Sequence, residues 1–154
     1  MPALYAIDTN LYVRALRNAE ELSHLKRFLL RVGTRLRVAG VVALELRAGA
    51  KSDAQRVAVE SLLAPYAERG RVITPSFEAF VEAGRVLAAM VERERLVLAS
   101  APPSLRYDVL LAASCREAGA ILLTANHADF ARIKRHLRGF TFEDAWPVRK
   151  RAGS

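Results

Sequence analysis

An α/β domain built on a parallel sheet is the fold class this sequence predicts, and three observations predict it. Short apolar runs recur at residues 3–7, 36–39, 71–74 and 120–124, helix-length segments with the 3.6-residue apolar period lie between them, and glycine, proline and capping residues mark the joins. Strands separated by such crossovers pair in parallel, and helices then cover both faces of the sheet.

The elements follow in order. Run 3–7 ends at Asp8, and helical periodicity covers 11–16 and then 21–32. Strand 36–39 passes through Gly40 into helices over 41–50 and 53–69. After run 71–74, Thr74-Pro75-Ser76 offers a cap and a proline suited to a helix start. The helix over 76–98 carries Phe77, Phe80, Val81, Gly84, Leu87 and Val91 as one apolar stripe. Pro102-Pro103-Ser104 opens a helix over 104–118, Gly119 stands where a left-handed glycine ends a helix, and strand 120–124 leads into a helix over 127–137. A last strand is expected near 139–142. The basic stretch with Arg149, Lys150 and Arg151 reads as a disordered tail, so the expectation is one domain over 1–147 and a tail over 148–154.

Composition narrows the class. The 154 residues are 52% hydrophobic and 26% charged without low-complexity runs, which excludes a disordered or fibrous chain. The single cysteine, Cys115, cannot form an internal disulfide, and one Cys with 3 His gives no zinc framework. A cytoplasmic protein with no membrane span is expected. Lys and Arg number 24 against 16 Asp and Glu, a net charge of +8 carried mostly by Arg, which suits a polyanionic partner such as nucleic acid.

Against that basic background, four acids stand in places where acids are costly. Asp8 closes an apolar strand at its carboxyl end, the edge where open α/β sheets place ligands. Glu45 and Asp108 each lie among apolar residues on one face of a helix, and Asp129 follows strand 120–124 closely. Singly, each has a plain explanation: Asp8 or Asp129 as a helix cap or first-turn residue, Glu45 or Asp108 in a core ion pair with an Arg such as Arg47 or Arg106. Together they sit on elements that meet at one sheet edge. Converging carboxylates repel and take up protons unless a cation neutralises them, and an all-oxygen donor set suits Mg²⁺ or Mn²⁺. Acids holding such an ion inside a basic protein suit cleavage of a phosphodiester. Arg106 and the cluster Arg132, Lys134, Arg135 and Arg138 are the candidates to grip a nucleic-acid backbone.

The motifs that carry these acids are Asp8-Thr9-Asn10, Glu45-Leu46-Arg47-Ala48-Gly49-Ala50, Asp108-Val109-Leu110-Leu111-Ala112-Ala113 and Thr124-Ala125-Asn126-His127-Ala128-Asp129-Phe130. In order and spacing they resemble the successive signatures of PIN-domain ribonucleases of the VapC-toxin type, from Tyr5 to Trp146-Pro147. That resemblance implies a three-layer α/β/α sandwich around a short parallel sheet and Mg²⁺- or Mn²⁺-dependent endonuclease action on RNA. It also implies a homodimer and inhibition by a small antitoxin. Asp8, Glu45 and Asp108 match the family's three shared acids, and Asn10 and Thr124 match polar residues that orient water or the acids. Two positions depart from the pattern. Many relatives carry an acid where this chain has Asn126, and here Asp129 follows three residues later; Asp129 is the expected fourth carboxylate, with Asn126 beside it as a supporting polar residue and the alternative fourth ligand. The segment Ala39-Gly40-Val41-Val42 lacks the Ser or Thr that relatives often place before Glu45.

Three other readings compete. An aspartate-nucleophile phosphatase wants a second Asp where Asn10 stands. A non-catalytic receiver-like module needs an Asp at the end of its third strand, where this chain has Thr74 and Pro75. A housekeeping RNA-processing nuclease of the same fold shares every catalytic residue with the toxin. If an antitoxin binds, the apolar stripes of helices 21–32 (Leu25, Phe28, Leu29) and 53–69 (Leu62, Leu63, Tyr66) are candidates to form its groove.

Overall fold

The computed structural model describes residues 2–146; the expected tail over 148–154 lies outside them. Five parallel strands form the sheet: β1 (Leu4–Ile7), β2 (Leu36–Ala39), β3 (Val72–Ile73), β4 (Ala120–Thr124) and β5 (Phe142–Asp144), in the order β3-β2-β1-β4-β5. The chain winds outward from β1 to β2 and β3, then returns to β1's other side for β4 and β5. The strand order therefore reverses between β1 and β4, and the carboxyl ends of those strands flank the crevice where such sheets take ligands.

Seven helices complete the described fold: α1 (Thr9–Arg17), α2 (Ala19–Val32), α3 (Gly40–Gly49), α4 (Asp53–Glu68), α5 (Phe77–Glu94), α6 (Ser104–Ala118) and α7 (His127–Lys134). Together with the parallel sheet they give the α/β, three-layer PIN-like class expected. None of the helices among the described residues is long and apolar enough to cross a membrane. The central strands are dry: Ala6, Ile7, Leu122 and Leu123 are at most 1% exposed, as a sheet covered on both faces requires. Local chemistry sets many of the joins. The Asn18 side chain accepts the N–H groups of Glu20 and Glu21 to start α2, Ser52 and Ser76 cap α4 and α5, and Gly119, at φ 67°, ends α6 by returning its N–H to Arg116 and Cys115.

Three boundaries differ from the sequence reading by three residues or more. Helix α5 stops at Glu94 rather than 98, because Arg95 turns left-handed and its N–H returns to the Met90 carbonyl. Helix α7 ends at Lys134, three residues early. The last strand runs over Phe142–Asp144 rather than 139–142: Gly139, at φ 87°, makes a turn, and Phe140 is buried before the strand begins.

The larger correction concerns which face of α5 is inside. Phe77, Phe80, Val81 and Val91 are 78%, 54%, 48% and 39% exposed, while Ala79, Ala83, Val86 and Met90 form the buried face. Helix α5 packs on α6, and Ala79 of α5 lies beside Ala113 of α6. Small residues on both sides allow close approach, so the alanine face wins over the bulkier stripe; periodicity alone does not rank two apolar faces of one helix. Met90→Ala is therefore expected to cost about 2–5 kcal/mol of unfolding free energy. Phe77→Ser should stay within about 0.5 kcal/mol in dilute urea titrations, a contrast that disappears if the stripe is the buried face.

Candidate active site

Strand β1 ends in a side chain that two neighbours hold still. Asp8 is 4% exposed; its Oδ1 accepts the Thr9 N–H at 2.8 Å, and its Oδ2 accepts the hydroxyl of Thr124 at 2.7 Å. The first bond makes Asp8 the N-cap of α1, so the plain explanation of this residue is correct as far as it goes. The second is long-range: Thr124, wholly buried at the end of β4, reaches across the switch point between the two central strands.

The other acids surround this fixed point. Glu45 on α3 accepts the Thr9 hydroxyl at 2.9 Å through its Oε1. Asp129, in the first turn of α7, accepts the side-chain amide of Asn126 at 2.8 Å, and the Asn126 backbone N–H donates to the Thr124 hydroxyl oxygen at 2.9 Å. A hydrogen-bonded chain thus runs from Asp129 through Asn126 and Thr124 to Asp8. Asn126 spends its amide on orienting Asp129, so the two residues between which the sequence left a choice act as a pair. Asp108, half-buried on the second turn of α6, completes the group.

Electrostatics ties the four together. Burial pushes the Asp108 carboxyl up from the ordinary 3.8 to about 7, and the charges of Asp8, Glu45 and Asp129 push it the same way. Burial also raises Asp8, against the opposing hydrogen bonds from Thr124 and Thr9. Glu45 is raised by burial and by Asp8, with the Thr9 hydroxyl working against them. The field of Asp8 extends to the buried thiol of Cys115, which burial and that charge push up to about 12.

The core-ion-pair explanation for these acids fails on the positions of the cations. Arg47 binds Glu60 at 3.0 Å, and the Arg106 guanidinium meets the Leu98 carbonyl at 3.5 Å. Among the described residues, none of the ion pairs involves Asp8, Glu45, Asp108 or Asp129. The donor set is all oxygen and short of positive charge, which fits a hard divalent cation. As the side chains stand, no three His, Cys, Asp or Glu among the described residues are close enough to hold one.

The remaining candidates divide. Asn10 is exposed in the first turn of α1, whereas its neighbour Thr9 is buried and makes the contact to Glu45. Thr9 is the residue the sequence reading passed over; its signal was the hydroxyl directly after the strand-ending acid. It supplies from α1 a hydroxyl contact to Glu45, whose own preceding segment has no Ser or Thr. Of the cations, Arg106, Lys134, Arg135 and Arg138 are exposed, while Arg132 is turned inward, its Nε donating to Glu94 at 2.6 Å.

Residues 5–136 match the PIN domain, and the chain belongs to that family of nucleases. None of the curated proteins is similar enough in sequence to match. Among solved structures, the fold is similar to that in DNA-bound VapBC from Salmonella typhimurium, with 21% identity, coverage of 95% of this chain and 100% of that one, and a TM-score of 0.70. FitAcB from Neisseria gonorrhoeae has 16% identity, 94% and 100% coverage and a TM-score of 0.68. VapBC-1 from nontypeable Haemophilus influenzae has 19% identity, 92% and 97% coverage and a TM-score of 0.64. At these identities the likeness is one of fold.

The raised Asp108 carboxyl has a consequence for stability. Its folded pKa, about 7, lies above the unfolded value near 3.8, so the folded state holds the proton more tightly. That contribution is full below about pH 4 and is lost as pH rises through about 7. In EDTA, the urea midpoint of the chain should fall between about pH 5 and about pH 8, and Asp108→Asn should flatten the fall and raise stability at the alkaline end. Equal slopes for the two proteins would show that Asp108 is not the group being crowded.

Proposed function

We propose that this chain is a divalent-metal-dependent endoribonuclease and the toxin of a toxin–antitoxin pair. The observation that carries the reading is that Asp8, Glu45 and Asp129 all press on the Asp108 carboxyl beside the sheet's switch point, and that none of the four has an ion-pair partner among the described residues. Asp8, Glu45, Asp108 and Asp129 are the residues that would hold Mg²⁺ or Mn²⁺. When bound, the cation neutralises the cluster and supplies Lewis-acid activation for phosphodiester hydrolysis. Asp8 is the fixed member, pinned by Thr9 and Thr124, while Glu45, Asp108 and Asp129 are more exposed and can close toward it. The Thr9 N–H and the Thr124 hydroxyl each hold one oxygen of Asp8, and the Thr9 hydroxyl holds one of Glu45, which orients the remaining lone pairs. Asn126 performs the same service for Asp129.

RNA as the substrate is supported by the chain's net charge of +8 and by the family resemblance. The toxin assignment is supported by the VapBC structures that share the fold. A groove of about 360 Å³ is suited to a segment of an antitoxin: Val13 and Leu16 of α1, Leu46 of α3, and Ala54 and Val59 of α4 line it, and Glu45 and Arg17 stand among them. Of the two helices named from the sequence, α4 lines this groove and α2 does not. Helix α2 packs on α1, with Leu25 and Phe28 in the core, and α4 packs on α3.

Purified protein on a panel of defined RNAs is expected to cleave with Mg²⁺ or Mn²⁺ and not in EDTA. Asp8→Asn or Asp108→Asn should lower the rate at least about a hundredfold, and Thr124→Val about 10–100-fold through the orientation of Asp8. Full activity in both carboxylate variants would refute the metal site. Asp129→Asn should raise the Mg²⁺ needed for half-maximal rate while leaving the melting temperature near that of the parent. Co-expression with the adjacent reading frame separates toxin from housekeeping nuclease: the toxin co-purifies with, and is silenced by, its small neighbour.

A further inference from the structure

Beyond the acids, on the β5 side of the switch point, lies an open groove of about 660 Å³ that includes His127, Lys134, Arg135, Phe142, Glu143 and Asp144 in its lining. Asp144 is the register partner of Thr124, whose hydroxyl is on Asp8. With strands ~4.8 Å apart, the groove begins one strand from Thr124 and two from Asp8. His127 and Asp129 both belong to the first turn of α7 but stand two positions apart, so the groove, lined by His127, Ala131, Lys134 and Arg135, takes one face of α7 and Asp129 stands on another.

The imidazole of His127 is fixed in a way its exposure does not require. Its Nδ1 is 2.9 Å from Oδ1 of Asp144, and because a carboxylate can only accept, Nδ1–H is the donor. The ring also meets Phe142 edge-on, with centroids 5.2 Å apart. Yet 65% of the His127 side chain remains in solvent. An exposed aromatic ring held from two sides gives up rotamer freedom for little burial, which describes a platform rather than a core residue. Beside it, the Lys134 ammonium sits 5.9 Å from the Phe142 centroid, and the Arg135 side chain is 71% exposed.

We propose that this groove is a subsite for one nucleotide of the RNA strand next to the scissile position. The base stacks on the His127 ring and the phosphate meets Lys134 and Arg135. The inference rests on the ribonuclease reading above. Single-stranded RNA is recognised by this combination of an aromatic platform for a splayed base and cations for the backbone, and histidine serves as such a platform. The volume suits a mononucleotide unit. Asp144 then acts as a positioning residue, which orients the platform without touching the base.

The test uses the full chain carrying Asp8→Asn, so that RNA is bound and not cut, and fluorescence anisotropy with short labelled single-stranded RNA and its base-free analogue. His127→Ala should weaken binding of intact RNA about tenfold, and His127→Phe, which keeps a ring, should restore it. Base-free RNA should bind His127→Ala and its parent equally. Replacing Lys134 and Arg135 together by Ala should weaken both ligands and reduce the salt dependence. Tight RNA binding unaffected by His127→Ala overturns the subsite and leaves the nuclease reading standing. Absence of RNA binding by every form overturns that reading and the subsite with it.

Discussion

A carboxylate buried at the carboxyl end of a central strand is the constraint around which this molecule is arranged. Asp8 is removed from water, given two hydrogen bonds rather than a counter-ion, and faced by three further acids. Placing Arg47 or Arg106 among them would relieve the repulsion, and the fold sends those cations elsewhere. The strain is held in place by the dry strands β1 and β4 and by hydroxyls that accept no charge themselves. Such an arrangement lowers stability in the absence of a ligand, the cost that functional sites commonly impose on the fold that carries them.

Two polar chains converge on that point, and each passes through a threonine. Thr9 ties β1's end to α3 by way of Glu45, and Thr124 ties β4's end to α7 by way of Asn126 and Asp129. Elements that enter the sheet far apart in sequence are thereby set to one geometry at the crevice. The basic surface lies outside this centre, so a polyanion is attracted over long range while its local environment at the crevice depends on what neutralises the acids.

Much of this was legible in the sequence because it rests on local pattern. The runs that became β2 and β4, the start of α6 at Ser104 and its glycine end at Gly119 follow from apolar periodicity and cap chemistry. The acids stood out because charged residues in apolar frames are rare without a cause. What was not legible depended on tertiary choice. Which stripe of α5 lies inside is decided by its packing on α6, and the place of β5 by the turn at Gly139. Thr9 was hidden beside Asn10 because both are polar residues opening a helix, and only the approach of Glu45 from α3 distinguishes them. The inward turn of Arg132 likewise needs Glu94, 38 positions away.

The central claim is that the four carboxylates form one divalent-cation site, and the most direct measurement is the uptake of Mn²⁺ by the purified chain, followed through the electron paramagnetic resonance signal of the free ion. Mn²⁺ should be removed from solution by the parent protein, with uptake lost when Asp8 and Asp108 are replaced together by Asn. Failure of the parent to take up Mn²⁺, or equal uptake by the doubly substituted protein, would contradict the account.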